Sequence, residues 1–305
     1  MKILVTGGAG FIGSHLVDAL VIAGHEVVVI DDLSTGHKQN LNPNAKLIEL
    51  NVAAPKVRRV FDREQPEAVF HLAAQINIHR SMANPLWDAE QNIIGTLNLL
   101  ENSQRLGVKK IIFSSSAAVY GDNGVVPTTE DSPLLAPSPY GIGKLAGEKY
   151  LEYYYQTSQL PFVTLRYANV YGPRQSWRGE GGVVAIFTAR AVVGKRLVIN
   201  GDGSQTRDFV FVGDVVQANL KALATAQVGI YNIGTAIETS IAELAKKIIA
   251  AAQSPVTVTY NPARPVDQQR SALDHSKATQ ELGFVPTIDL ETGIQKTITW
   301  FKSQK

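Results

Sequence analysis

The sequence predicts an α/β protein in which a doubly wound parallel sheet is followed by a smaller α/β lobe. Three observations carry that prediction. Apolar runs of strand length alternate with helical patterns through the first half, a glycine-rich turn joins the first strand to the first helix, and the rhythm loosens after about Gly172.

Strands are expected at Lys2–Thr6, Glu26–Ile30, Lys46–Leu50, Ala68–His71, Lys110–Ser114 and Phe162–Arg166. Between them, Phe11–Ala23, Trp87–Leu106 and Tyr140–Thr157 read as helices. Strand–helix alternation at this spacing implies a parallel sheet covered on both faces. Residues 1–172 therefore form the expected first domain. Residues 173–305 form mostly a second lobe, with helices at Val183–Val193, Asp214–Ala226, Ser240–Ala252 and Leu290–Lys302 and some segments returning to the first domain. No repeat, low-complexity tract or flexible linker interrupts the chain.

With 305 residues, 45% hydrophobic and 18% charged, the chain has material for a large core. A formal charge of +2 is too small to argue for nucleic acid or a membrane surface. Having no cysteine excludes disulfides, thiolate metal sites and a cysteine nucleophile. His71, His79 and His275 are too scattered for a metal site, so no metal is expected. MKILVTGG leads directly into a strand and turn without the features of a signal peptide, and no run approaches the ~20 apolar residues that span a bilayer. A cytoplasmic, soluble protein is expected.

The first strand runs into Thr6-Gly7-Gly8-Ala9-Gly10-Phe11-Ile12-Gly13. Glycines here permit a tight turn and let backbone amides reach a pyrophosphate at the positive end of the next helix. The second strand ends at Asp31, 18 positions after Gly13, where a carboxylate is placed to hold the adenosine ribose diol. That carboxylate repels a 2′-phosphate, which favours NAD over NADP. The first domain is therefore expected to be of Rossmann type.

The fifth strand delivers Ser114-Ser115-Ser116, and a proline-initiated helix follows with Tyr140 and Lys144 one turn apart on one face. Carboxyl ends of strands in such a sheet face the ligand crevice. Ser116 is then placed to hydrogen-bond a reacting hydroxyl and Tyr140 to take its proton. Lys144 is placed to lower the phenol pKa and hold the cofactor ribose.

GGAGFIG, the Asp31-Asp32-Leu33-Ser34-Thr35-Gly36 turn, HLAAQ, SSSAAVYG, YGIGK and RYANVYGPR occur in the order seen in extended short-chain dehydrogenases/reductases. Nearly the whole chain resembles the NAD-dependent epimerase/dehydratase family, and within it the UDP-glucose 4-epimerases. The resemblance implies that Gly7, Gly10, Phe11, Ile12 and Gly13 hold the NAD pyrophosphate, and Asp31 to Gly36 the ribose. Asn51 and Val52 would border adenine, although the family more often has aspartate at the Asn51 position. Leu72, Ala73, Ala74 and Gln75 would pass along the cofactor with Asn92 supporting them, and Ser114 and Tyr167 would complete the nicotinamide end.

The resemblance also implies a reaction. Related dehydratases carry an Asp-Glu pair where this chain has Ala117 and Ala118, and two alanines cannot expel a hydroxyl as water. The implied activity is 4-epimerisation of a UDP-hexose through a transient 4-keto intermediate, with catalytic Ser116, Tyr140 and Lys144. Another nucleotide-sugar enzyme of this group (dehydratase, decarboxylase or reductase) and a non-catalytic NAD sensor stay open as alternatives. Arg207 and Arg264 match family arginines that bind the diphosphate, with Asp267 orienting Arg264; Val266 stands where the family usually has glycine. Val183, Val184, Lys195, Val198 and Asn200 would line the uridine end, and Asn169 would lie beside the sugar. Ser271 replaces a bulky residue that excludes N-acetyl groups, which leaves room for UDP-GlcNAc and UDP-GalNAc. Family members pair the Trp87–Leu106 and Tyr140 helices in a four-helix homodimer interface, and the same is expected here.

Overall fold

The computed structural model describes residues 1–122, 124–178, 182–263 and 268–304. Along the chain come β1 (Lys2–Thr6), α1 (Phe11–Ile22), β2 (Glu26–Asp31), β3 (Lys46–Glu49), α2 (Val57–Glu64), β4 (Ala68–His71), α3 (Ile78–Ala83), α4 (Pro85–Ala89), α5 (Gly95–Leu106), β5 (Lys110–Ser116), α6 (Pro139–Ser158) and β6 (Phe162–Tyr167). They are followed by β7 (Asn169–Tyr171), α7 (Val183–Val192), β8 (Leu197–Asn200), β9 (Thr206–Arg207), β10 (Phe209–Phe211), α8 (Val212–Ala224), β11 (Gly229–Ile233), β12 (Thr239–Ser240), α9 (Ile241–Ala252), β13 (Val258–Asn261), α10 (Ser276–Leu282) and α11 (Leu290–Ser303).

Seven strands form one sheet in the order β3-β2-β1-β4-β5-β6-β11. β1 pairs in parallel with both β2 and β4, so Thr6 stands level with Ile30 on one side and His71 on the other. The strand order reverses at that point, and ligands bind outside the carboxyl ends of the strands there. β1, β2 and β4 are almost wholly buried, and apolar side chains on both faces of the sheet meet the covering helices. One core cluster joins Leu4, Val28, Ile30, Val69, Ile111 and Phe113 to Leu99 and Leu100 of α5 and Leu151 of α6.

Two compact units divide the chain. The first comprises Met1–Gly121, Leu134–Arg166 and Val216–Tyr231; the second comprises Asp122–Pro133, Tyr167–Val215 and Asn232–Lys305. In the second unit β7 pairs with β10, β9 with β12 and β8 with β13, while α7, α9 and α11 pack on one another.

The expected helix at Trp87–Leu106 is not continuous. A π turn at Glu90–Ile94 separates α4 from α5 and contains the buried Asn92. Such bulges re-aim a side chain at the expense of regular pairing, and Asn92 uses this one to reach across to Gln75. Helices α2, α3 and α10 were not expected from the sequence; α3 and α10 are too short to show a clear helical period, whereas α2 buries Val57, Val60, Phe61 and Glu64 at helical spacing, a pattern the sequence did carry.

Candidate active site

The chain leaves β1 through a turn that tolerates no side chain. Gly7 has φ +71°, and a Cβ there would stand 2.7 Å from the amide nitrogen of Ala73; one on Gly13 would stand 2.1 Å from the Gly7 carbonyl oxygen. Helix α1 begins from Gly10, which has no side chain to cap the first turn. The first-turn amides, at Phe11 and Ile12, are thus left for an anion. Asp31, at the end of β2, is buried. Its carboxylate accepts the Ala9 amide at 2.9 Å and the Leu33 amide at 2.9 Å, with Leu33 at φ 58°. Gly36 closes the turn: a Cβ would meet Asp31 Oδ1 at 2.8 Å. Ser34 donates its amide to Asp32 Oδ1, and Thr35 lies exposed beside it. Burial raises the Asp31 carboxyl above the usual carboxylate range, and the two amides oppose that rise. A close-packed glycine turn followed by an oriented carboxylate fits the pyrophosphate and ribose of NAD.

Asn51 explains its own departure from the family pattern. Its Nδ2 donates to Asp32 Oδ2 at 2.9 Å and to Gln91 Oε1 at 2.6 Å, whereas an aspartate there would face Asp32 as a like charge. Val52 is 5% exposed and packs close to Gly95, so it offers an adenine its backbone more than its side chain. Beyond β4, half-buried Leu72, Ala73 and Ala74 lead to buried Gln75. Gln75 and Asn92 exchange bonds: the Gln75 amide donates to Asn92 Oδ1 and Asn92 Nδ2 to the Gln75 carbonyl, both at 2.9 Å.

Ser116 ends β5, and its Oγ accepts the Ala118 amide at 3.2 Å, starting the turn that carries Ala117 and Ala118. Ser138 caps α6 by accepting the Gly141 amide at 3.2 Å, and Pro139 supplies the first helical residue. This start places Tyr140 in hydrogen-bond contact with Ser116. Lys144, one turn on and 4% exposed, donates to the Ser114 carbonyl at 2.7 Å. The three predicted catalytic residues are therefore assembled in the first unit.

Their electrostatics depart from the sequence expectation. Burial pushes the Tyr140 phenol above its ordinary value, and the Ser116 bond pulls it down without reversing the rise. Burial also lowers Lys144 to about 8, against Asp88 and Glu148, which hold it up. The Lys144 ammonium is directed at a backbone carbonyl, so desolvation sets the direction at Tyr140.

Sequence reasoning missed the layer beneath these residues. Glu148, one turn beyond Lys144, accepts Ser115 Oγ at 2.5 Å and both Nε and Nη2 of Arg166 at 3.0 and 2.6 Å, while Arg166 Nη1 donates to Tyr120 Oη at 2.7 Å. The signal was present: an arginine inside an apolar strand requires a buried carboxylate, and Glu148 continues the face of Tyr140 and Lys144. His71 bridges Thr6 Oγ1 at 2.8 Å and Thr96 Oγ1 at 3.0 Å, and burial lowers it to about 3, leaving it neutral. Among the described residues no cluster of His, Asp or Glu has the makings of a metal site.

In the second unit, Asp208 anchors the strands around Arg207. Its carboxylate accepts the amides of Thr235, Ala236 and Leu273, and its backbone carbonyl accepts the Asn169 amide at 2.9 Å. Arg207 Nη1 donates to the carbonyls of Thr206 and Gln268, both at 2.7 Å. Alternation along β8 buries Leu197 and Ile199 and turns half-buried Val198 and Asn200 the other way. Val183 is half-buried in the first turn of α7, but Val184 is in the core. Exposed Lys195 lines a cavity of about 460 Å³ with Trp177, Arg190 and Phe301, and neither Val198 nor Asn200 lines it. Ser271 is buried, and Tyr167 is buried at the end of β6. Arg264 and Asp267 lie outside the described residues.

A serine-held phenol and a buried lysine beside a dinucleotide cradle are the equipment of a nicotinamide-dependent enzyme. Comparison narrows that class: the chain belongs to the NAD dependent epimerase/dehydratase family, whose model matches residues 3–234. It is 43% identical to a UDP-glucose 4-epimerase of Mycolicibacterium smegmatis over 100% of this chain and 99% of that protein. Among solved structures, the Thermotoga maritima UDP-glucose 4-epimerase with UDP-glucose superposes with a TM-score of 0.98 at 46% identity, covering 100% and 99% of the two chains. The Thermus thermophilus UDP-glucose 4-epimerase complex with NAD gives 0.94 at 40% identity, covering 99% of each.

Proposed function

We propose that this protein interconverts UDP-glucose and UDP-galactose by NAD-dependent oxidation and reduction at C4 of the sugar. The observation that carries the reading is the Ser116–Tyr140 hydrogen bond beside Lys144, with alanines at 117 and 118 in place of acids. Ser116 holds the C4 oxygen, and Tyr140, as phenolate, takes the C4 hydroxyl proton. The glycine turn and Asp31 would hold NAD⁺, which when bound would supply the acceptor and donor for the C4 hydride and a positive ring that favours the phenolate. Tyr140 then returns the proton once hydride has come back to the opposite face of the 4-keto sugar. Ala117 and Ala118 supply no acid for elimination, so the oxidised sugar is reduced again and not diverted.

The cofactor falls to the first unit and the nucleotide sugar to the second. Arg207 and Arg264 would bind the diphosphate, Asp267 would orient Arg264, and Asn169, Val183, Val198 and Asn200 would contact sugar and uridine. The small side chain of Ser271 would leave space for an N-acetyl group, so UDP-GlcNAc and UDP-GalNAc are expected substrates too. A homodimer would use the outer side of α6, where Ile142, Tyr150 and Tyr153 are exposed, together with Ile94 at the start of α5. Among the described residues no helix is long and apolar enough to cross a membrane.

Incubation with UDP-galactose, UDP-GlcNAc and UDP-glucuronate, with products separated by chromatography, tests the reading. UDP-glucose and UDP-GalNAc should form from the first two without net NADH, and UDP-glucuronate should not lose its carboxylate. Decarboxylation of UDP-glucuronate, or stoichiometric NADH formation, would overturn it.

A further inference from the structure

The charges packed around Lys144 can be paired one by one. Glu148, on the same helix, is held by Arg166 from β6 through two bonds to the guanidinium. His71, on β4, is neutral because burial keeps it from taking a proton. Lys144 from α6 and Asp88 from α4 are then left as the unmatched cation and anion of this group, 4% and 1% exposed respectively. Tyr140 is the remaining titratable group beside them.

Asp88 is placed firmly. Its Oδ1 accepts both Gln75 Nε2 at 2.7 Å and Asn92 Nδ2 at 3.1 Å, so the amide pair that orders the loop after β4 also orients this carboxylate. The other oxygen, Oδ2, lies 3.6 Å from where a Cβ on Gly143 would stand, one residue before Lys144. Neither of the two hydrogen bonds requires a charge, because an asparagine carbonyl oxygen would accept them equally well. A buried negative charge that its hydrogen bonds do not require points to a cation it serves.

We propose that Asp88 is the buried counter-charge of the Tyr140–Lys144 pair, a positioning residue that keeps Lys144 an ammonium through the reaction. The inference rests on the catalytic reading above. An anion at this place stabilises the ammonium and opposes the phenolate, so it raises the proton affinity of both groups. Removing it lowers both together, in whichever order they titrate.

Asp88→Asn is the decisive variant, because Oδ1 can keep both bonds while the charge is lost. Lys144 is followed directly by NMR of lysine side chains, its resonance assigned by Lys144→Arg, and activity is measured across pH. Wild-type Lys144 should titrate at about 8. In Asp88→Asn its midpoint should fall by about one pH unit, and the whole activity profile should move the same way. A loss of activity or stability with both midpoints unmoved would mean a structural role only and would overturn the proposal. Should Asp88→Asn fail to fold, Asp88→Ser is neutral and smaller and should show the same shift. An inactive wild type would overturn the catalytic reading while the lysine titration still judged Asp88; an active wild type with unmoved midpoints in the variant would overturn Asp88 alone.

Discussion

The two sides of α6 make opposite use of the same helix. One side carries Tyr140, Lys144, Glu148 and Leu151, spaced to line up at 3.6 residues per turn and half-buried or buried throughout. The other carries Ile142, Tyr150 and Tyr153, apolar and exposed. On the inner side polar groups are bonded in place, as Lys144 is to Ser114 and Glu148 to Ser115 and Arg166. On the outer side large apolar groups stand in solvent, which is why the proposed subunit contact is placed there. A hydrophobic helix face therefore does not always mark the core, nor a polar one the surface.

Substitutions can break this contrast in graded steps. The largest effect is expected at Tyr140: Phe keeps the ring but removes the proton acceptor, and turnover of UDP-galactose should fall roughly 10³-fold with folding unchanged by circular dichroism. Glu148→Gln should act on stability first. It leaves the Arg166 guanidinium buried without its carboxylate, and chemical denaturation should show a loss of roughly 3–5 kcal/mol.

His71 sharpens the inner side through pH. Its folded value of about 3 lies below the unfolded value of 6.5, so between them the unfolded chain holds the extra proton and stability rises with pH. Between about pH 6.5 and 5, before carboxylates titrate, denaturation should show a loss of up to about 1.4 kcal/mol per unit of acidification. His71→Asn should flatten that slope whatever its effect on stability itself.

The smallest effect on chemistry is expected on the outer side. Tyr153→Glu should shift the sedimentation coefficient from dimer to monomer while changing turnover by less than the inner substitutions do. Retention of the dimer would remove the outer side from the interface.

The inner side was partly legible in the sequence. Tyr140, Lys144 and Ser116 could be placed because a proline-started helix fixes which residues share a face, and because strand ends meet the crevice. The glycine turn and Asp31 were legible for the same reason: local backbone geometry dictates residue type there. What stayed hidden depends on contacts between distant segments. Asp88 and His71 gain their roles from α4 and β4 lying against α6, and nothing in their local sequence announces it, whereas Arg166 inside an apolar strand announces a buried carboxylate without saying which one. The π turn at Glu90–Ile94 was also invisible, since an inserted residue is set by what Asn92 must reach. The direction of the Tyr140 shift was misjudged because spacing reveals a neighbouring lysine but not the desolvation around both.

In the proposed reaction hydrogen leaves C4 of the sugar as hydride and comes back to the same carbon while Tyr140 handles only the proton. UDP-galactose deuterated at C4 tests it most directly, with the product examined by NMR. UDP-glucose should form with deuterium kept at C4 and none released to water; label lost to solvent, or found at another carbon, would rule this hydride return out.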